Sequence, residues 1–230
     1  MNDQGVWLVL DTAAPRAIVG VVDVGRGAVV AEVWLPETRL HAERLPGAVQ
    51  EMLKVGSIVG IGVGIGPGSF IGLRTGIAFA KGLGRALGVP VVGVPSLWAL
   101  ASSFQLPPGP CVAVLDARRG EYYTQVFSAE ARGDGADMTA ALGPPSWMRP
   151  LSEPTAVVPA QVPRGGVVVG VGGGPGLEQP GPSAGGMLRV LQQRLPCDDE
   201  RSTLAPVYVR APDAKLPALD PARHRPVEVP

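Results

Sequence analysis

Short runs of apolar residues broken by turn residues dominate the first third of the chain. Val6 to Leu10 is an apolar strand ending at Asp11-Thr12, and Ala17 to Val24 is a second, with Pro15 between them. The two predict a hairpin with an aspartate at its mouth. Ala28 to Leu35 predicts a third strand. From His41 to Lys54 the spacing turns helical, with Leu45, Val49, Met52 and Leu53 on one side. Pro46 either starts the regular part of that helix or kinks it.

The stretch from Gly60 to Gly88 carries three signals in sequence. Ile61, Val63 and Ile65 alternate as in a buried strand, and Gly66-Pro67-Gly68 stops it, because proline lacks a donor and glycine tolerates positive φ. Ser69 is a good N-cap, and Phe70, Leu73, Ile77, Ala80 and Leu87 then recur at helical steps. Gly72, Gly76, Ala80, Gly84 and Gly88 fall every four residues, so one face carries almost no side chain and another backbone must approach it. Each interior glycine costs roughly 1 kcal/mol of helix propensity relative to alanine, which packing at Gly72, Gly76, Gly82 and Gly84 has to offset. A membrane dimer uses the same spacing. Arg74, Lys81 and Arg85 interrupt the segment and argue for a soluble helix instead.

Pro90 to Val94 predicts a strand, and Ser96 caps a helix through Ser103; Gln105 to Pro110 then marks a boundary. Beyond it the pattern begins again. Val112 to Leu115 ends in Asp116, a turn Arg118-Arg119-Gly120 follows, and Tyr122 to Phe127 is a strand. Val167 to Val171 runs into Gly172 to Gly176, repeating the strand and Gly-Pro-Gly turn at nearly the same offset. A duplicated lobe follows, with residues 1–105 as the first lobe, 106–210 as a reduced second lobe, and 211–230 as a proline-rich tail. Ala129 to Pro163 lacks periodicity and reads mostly as loop; Met187 to Leu195 predicts a short amphipathic helix, and Pro206 to Arg210 a last extended piece.

Composition narrows the function. Lys plus Arg and Asp plus Glu number 20 each, so the excess of cations that holds nucleic acid is missing. Cys111 and Cys197 have no CxxC spacing, and the N-terminus has no basic segment followed by an apolar one. A cytoplasmic, reduced protein is expected. No apolar run reaches the roughly 18 residues that span a bilayer.

Two lobes that each open on an aspartate-bearing hairpin and later present a glycine turn describe an ATPase-like arrangement around a nucleotide. Asp11, Gly66, Gly68 and Ser69 are the candidate nucleotide contacts, since a glycine turn at a helix start offers unpaired N–H groups. GPGS lacks the Walker lysine, and a turn that only packs helix on sheet explains it as well. Asp11 and Asp116 are candidate metal anchors or bases, although a strand-end aspartate more often closes a turn. His41 and His224 lack ligand spacing, so no metal is expected. Ser69 is in no GxSxG elbow, and Cys111 reads as core. Arg74, one turn past the glycine loop, is placed to reach a phosphate or a partner's carboxylate.

LVLDTA at Leu8 to Ala13, the run from His41 to Leu53, GPGSFIGLRTGIAFAKGL at Gly66 to Leu83, GVPSL at Gly93 to Leu97, LDARRGEYY at Leu115 to Tyr123 and PVYVR at Pro206 to Arg210 resemble, in this order, the bacterial TsaB (YeaZ-type) proteins of tRNA threonylcarbamoyladenosine biosynthesis. The resemblance implies an α/β fold of duplicated RNase H-like lobes, of the actin/Hsp70/sugar-kinase (ASKHA) type. It implies a non-catalytic paralogue of TsaD, which pairs with that transferase through helices of the first lobe and is joined by the ATPase TsaE. The metal-binding HxxxH pair of TsaD falls here on Ser96 and Leu100, neither of which replaces a histidine. Ile71 and Ala14 stand where the usual SFTG and DTAT have hydroxyls, which weakens phosphate binding.

The expectation is therefore a scaffold that activates a TsaD-like transferase, with Leu45, Val49, Met52, Gly72, Arg74, Gly76, Ala80 and Gly84 at the partner interface. It has no cofactor of its own, ATP or ADP only at the partner interface, tRNA only through the complex and no membrane contact. A small ATP-dependent phosphotransferase or ATPase of the same fold, and a homodimer using the same helix, are the alternatives.

Overall fold

A computed structural model describes residues 5–35, 41–131, 146–171, 181–195 and 204–209. The first sheet is built from β1 (Val6–Asp11), β2 (Ala17–Asp23), β3 (Ala28–Leu35), β4 (Ile58–Gly66) and β5 (Val91–Pro95), in the order β3-β2-β1-β4-β5. The hairpin strands pair antiparallel, and β4 and β5 join parallel to β1. Parallel neighbours need a crossover, which α1 (His41–Met52) and α2 (Phe70–Leu87) supply on one face. Leu8, Leu10, Val19, Val21, Ile61 and Val63 point to that face and form one core with Leu45, Val49, Ile77 and Ala80.

The opposite face carries Val9, Ile18, Val22 and Val94. It is covered by α3 (Ser96–Ala101) and α4 (Ala184–Arg194), through Ala99, Met187, Leu188 and Leu191. The second sheet comprises β6 (Gly109–Arg118), β7 (Glu121–Ala131), β8 (Ser146–Pro150), β9 (Thr155–Val157) and β10 (Val167–Val171). Its order is β10-β6-β7-β8, with β9 also on β7. An antiparallel meander extended by a parallel strand thus occurs twice, β3-β2-β1-β4 matching β8-β7-β6-β10. Leu97, Leu100, Cys111, Leu115, Phe127 and Met148 form the core between α3 and the second sheet.

Three expectations change. The loop expected over Ala129 to Pro163 contains β8, β9 and a short 3-10 helix at Pro159–Gln161; β8 reads Ser-Trp-Met-Arg-Pro, too short to show a period, and pairs by its backbone to β7. Ser96 does not cap α3, because Pro95 holds the cap position without a side-chain bond and Ser96 turns its hydroxyl elsewhere. The boundary near residue 105 separates the two sheets but not all of the packing, since α4 and Leu204 return to the first lobe. The glycine run at 172–176, Cys197, Arg210, His224 and the tail from 211 lie outside the described residues.

Candidate functional site

Asp11 ends β1 and is 1% exposed. Its Oδ1 accepts the Ala13 N–H at 2.7 Å and its Oδ2 accepts the Ser96 hydroxyl at 2.6 Å. Ser96 Oγ in turn accepts the Gly66 N–H at 3.1 Å. One hydroxyl therefore joins the ends of β1 and β4 to the start of α3. A Cβ on Gly64 would stand 2.0 Å from Asp11 Oδ2, so the carboxylate has this space only because glycine leaves it. Burial pushes the Asp11 carboxyl up to about 6, against the lowering by Ser96 and by the Ala13 N–H.

The candidate nucleotide contacts Asp11, Gly66, Gly68 and Ser69 do come together. Two of their backbone donors, however, bond within the chain: Gly66 N–H to the Ser96 hydroxyl, and Ser69 N–H to the Ala13 carbonyl at 2.8 Å. Ser69 Oγ accepts the Gly72 N–H at 3.3 Å and caps α2. A Cβ on Gly68 would lie 2.5 Å from the Ala13 carbonyl oxygen. These bonds and the close approach at Gly68 account for the packing reading of this turn.

Leu100, one helical turn past Ser96, is fully buried in the second core. Among the described residues no three His, Cys, Asp or Glu side chains converge on a common point. His41 is buried at the start of α1, where desolvation lowers its pKa, countered in part by the backbone at Pro15. Cys111 lies in the second core and its thiol is pushed up to about 11 by burial, which removes the thiolate that a nucleophile needs. Asp116 is exposed and closes its own turn, its Oδ1 accepting the Arg118 N–H at 2.7 Å.

Most of the expected interface residues face inward, which corrects the expectation. Leu45 and Val49 are 0% and 2% exposed under α1, and Met52 is half-buried against the same core. A Cβ on Gly72 would lie 2.0 Å from Thr12 O, one on Gly76 2.3 Å from Thr12 Oγ1, and one on Gly84 2.3 Å from Val91 Cγ2; Ala80 is fully buried. Thr12 Oγ1 also donates to Gly72 O at 2.7 Å. The small-residue stripe lets α2 rest on its own lobe, and the close backbone is that of Thr12, just past the end of β1.

Arg74 alone of that set lies on the outer face, beside Ile71, which is 73% exposed. Its guanidinium carbon sits 3.8 Å from the Phe70 ring centre, and its Nε donates to the Tyr208 hydroxyl at 3.3 Å. Phe70 and Tyr208 are in ring contact at 5.3 Å. Residues 204–209 form a strap: Leu204 packs on the first core, Val207 N–H donates to Ile65 O at 2.7 Å, and Val209 packs on the second core. The aromatic pair puts Tyr208 on the same face as Phe70.

Sequence reasoning missed Gly47 in α1, and it expected packing at Gly82 in α2, where the structure has none. Both are exposed mid-helix glycines at which an added Cβ would meet nothing within 4 Å. A helix that keeps such a glycine gives up roughly 1 kcal/mol without packing inside this chain to repay it.

Two lobes with the same meander-plus-parallel-strand sheet, facing each other across α3, define an ASKHA-type protein. The family described as "TsaD: tRNA N6-adenosine threonylcarbamoyltransferase" matches residues 29–144, and the chain belongs to that family as a TsaB-type member. An uncharacterized protein from Mycobacterium tuberculosis is 32% identical over 213 residues, covering 90% of this chain and 93% of its own length. The "tRNA threonylcarbamoyladenosine biosynthesis protein TsaB" of Escherichia coli is 31% identical over 146 residues, 60% of this chain and 62% of that protein. The crystal structure of "YeaZ from Pseudomonas aeruginosa" has the same fold, with a TM-score of 0.66 at 23% identity over 88% of this chain and 99% of that one.

Proposed function

We propose that this chain acts in tRNA threonylcarbamoyladenosine biosynthesis as a non-catalytic subunit that pairs with and activates a TsaD-like transferase. A TsaE-like ATPase joins the pair, and tRNA is reached only through the complex. The relatives named TsaB support the pathway. The observation that carries the non-catalytic reading is the Ser96 hydroxyl closed onto Asp11 and Gly66, with Leu100 in the core. The residues at the place of a metal site thus hold the fold together instead.

Pairing takes the outer face of α1 and α2, where Gly47 and Gly82 leave room for another chain and Ile71 is open to solvent. A nucleotide, where one is bound, lies between this chain and its partner rather than in the Gly66–Ser69 turn. Among the described residues no helix is long and apolar enough to cross a membrane, which fits a cytoplasmic complex.

Nucleotide turnover by the isolated chain separates this reading from the phosphotransferase or ATPase of the same fold. The expected result is no hydrolysis, and no change on Asp11→Ala beyond lost stability. Hydrolysis that disappears on Asp11→Ala in a folded variant would make Asp11 a catalytic group and overturn the scaffold reading.

A further inference from the structure

The joint of Asp11, Ser96 and Gly66 holds a conflict that a single proton decides. Ser96 has one hydroxyl hydrogen. It goes to Asp11 Oδ2 at 2.6 Å, while the same oxygen accepts the Gly66 N–H at 3.1 Å. That arrangement suits a carboxylate, which only accepts. A protonated Asp11 would donate from Oδ2 instead, so Ser96 Oγ would receive two hydrogens and its own would lose its acceptor. Asp11 and Ser96 are each 1% exposed, so bulk water is not at hand to replace it. Hydrogen bonding therefore favours the ionised form and burial the neutral one, and the two act against each other in one closed space.

We propose that Asp11 is a proton-operated switch on the position of α3: ionised, it holds Ser96 and with it the start of the helix against the ends of β1 and β4, and on taking a proton from solvent it turns the Ser96 hydroxyl away and releases that hold. The effect reaches the second lobe. α3 has only six residues, and Leu97 and Leu100, which follow Ser96, are fully buried in the second core. Its far end is fixed, because the Ser102 carbonyl accepts from Arg189 Nη1 and Ser103 Oγ accepts the Ser183 N–H at 2.9 Å. Movement is thereby confined to the first turn. The Asp11 carboxyl, raised from 3.8 to about 6, exchanges its proton close to neutral pH. Burial, the Ser96 hydroxyl and the Ala13 N–H set that value, with no charged side chain among them. On the elements packed around it, Arg16 after β1 and Arg74, Lys81 and Arg85 of α2 are exposed, Asp23 at the far end of β2 pairs with Arg26, Arg189 of α4 is held at Ser102, and His41 of α1 is buried beside Pro15. The neutral form is the more stable one, since it ends the buried charge; what it gives up is the tie to Ser96.

The test is a titration of the full chain by NMR from about pH 4 to about pH 8, following the Asp11 carboxyl carbon and the backbone amides of Ala13, Gly66 and Leu97 to Ala101. The expected result is one shared transition near pH 6, in which the α3 amides move with the carboxyl. Asp11→Asn abolishes it. Ser96→Ala removes the donor to the carboxylate, moves the Asp11 midpoint up by about one pH unit and uncouples α3 from it. Ser96→Thr keeps a hydroxyl and restores both, an outcome that loss of packing alone would not give. The imidazole signals of His41, recorded in the same samples, separate its own titration. An Asp11 carboxyl that titrates near 3.8, or one that titrates near 6 while the α3 amides stay still, overturns the switch. So do α3 amides that follow the His41 midpoint and keep their transition in Asp11→Asn.

Discussion

The two lobes open on the same local turn. Asp11 Oδ1 accepts the Ala13 N–H and Asp116 Oδ1 accepts the Arg118 N–H, both at 2.7 Å and both two residues on. What differs is what has been laid over them. Ser96, Gly64 and the glycine turn close over Asp11 until it is buried, whereas Asp116 stays exposed at a hairpin where Arg118, Arg119 and Gly120 have φ of 62°, 57° and 76°. The first lobe has helices on both faces of its sheet, while among the described residues only α3 packs on the second sheet. Identical turn chemistry thus serves a sealed joint in one lobe and an open hairpin in the other. Function has to be argued from the cover rather than from the aspartate.

The comparison breaks hardest at the α2–β1 contact. Gly76→Leu drives a side chain into Thr12 and should cost the first lobe about 3 kcal/mol or more, read as a lower midpoint in urea. It is therefore no probe of partner binding. The aspartates come next. Because the Asp11 carboxyl is raised from 3.8 to about 6, the folded state holds its proton more tightly than the unfolded one. Its contribution is fully present well below pH 3.8 and is lost, by about 3 kcal/mol in all, as the pH rises through about 6. Asp11→Asn removes that dependence from a set of urea curves, and Asp116→Asn leaves it in place.

Ser96→Ala deletes the hydroxyl shared by Asp11 and Gly66 and should cost about 1–3 kcal/mol in thermal unfolding, against a few tenths for Ser128→Ala on the half-buried second sheet. The smallest effect has the opposite sign. Gly82→Ala adds helix propensity where nothing stands within 4 Å and should stabilise the free chain by up to about 1 kcal/mol, while weakening its hold on a partner.

The sequence made the architecture legible because its signals are local. The hairpins of both lobes, the strand-turn-helix from Ile58 to Leu87 and the N-cap at Ser69 all rest on periodicity and turn residues. Which way the α2 stripe faces was not legible. Four-residue spacing states that a backbone approaches, and only the fold tells that it is Thr12, just past the end of β1. The Asp11–Ser96 bond joins residues far apart in the chain, and the Tyr208–Arg74 bond spans farther still; neither leaves a trace in spacing. β8 escaped because a short strand that ends on Pro150 has too few residues for alternation. Gly47 and Gly82 become informative only once the space around them is known to be empty.

The central claim is that this chain acts by holding a transferase, and it is tested most directly by reconstituting tRNA threonylcarbamoylation from the TsaD-like protein of the same organism with and without this chain. The account predicts a stable pair whose modification of tRNA is lost when this chain is left out and restored when it is added back. Full modification without it, or no association together with ATP turnover by this chain alone, would contradict the account.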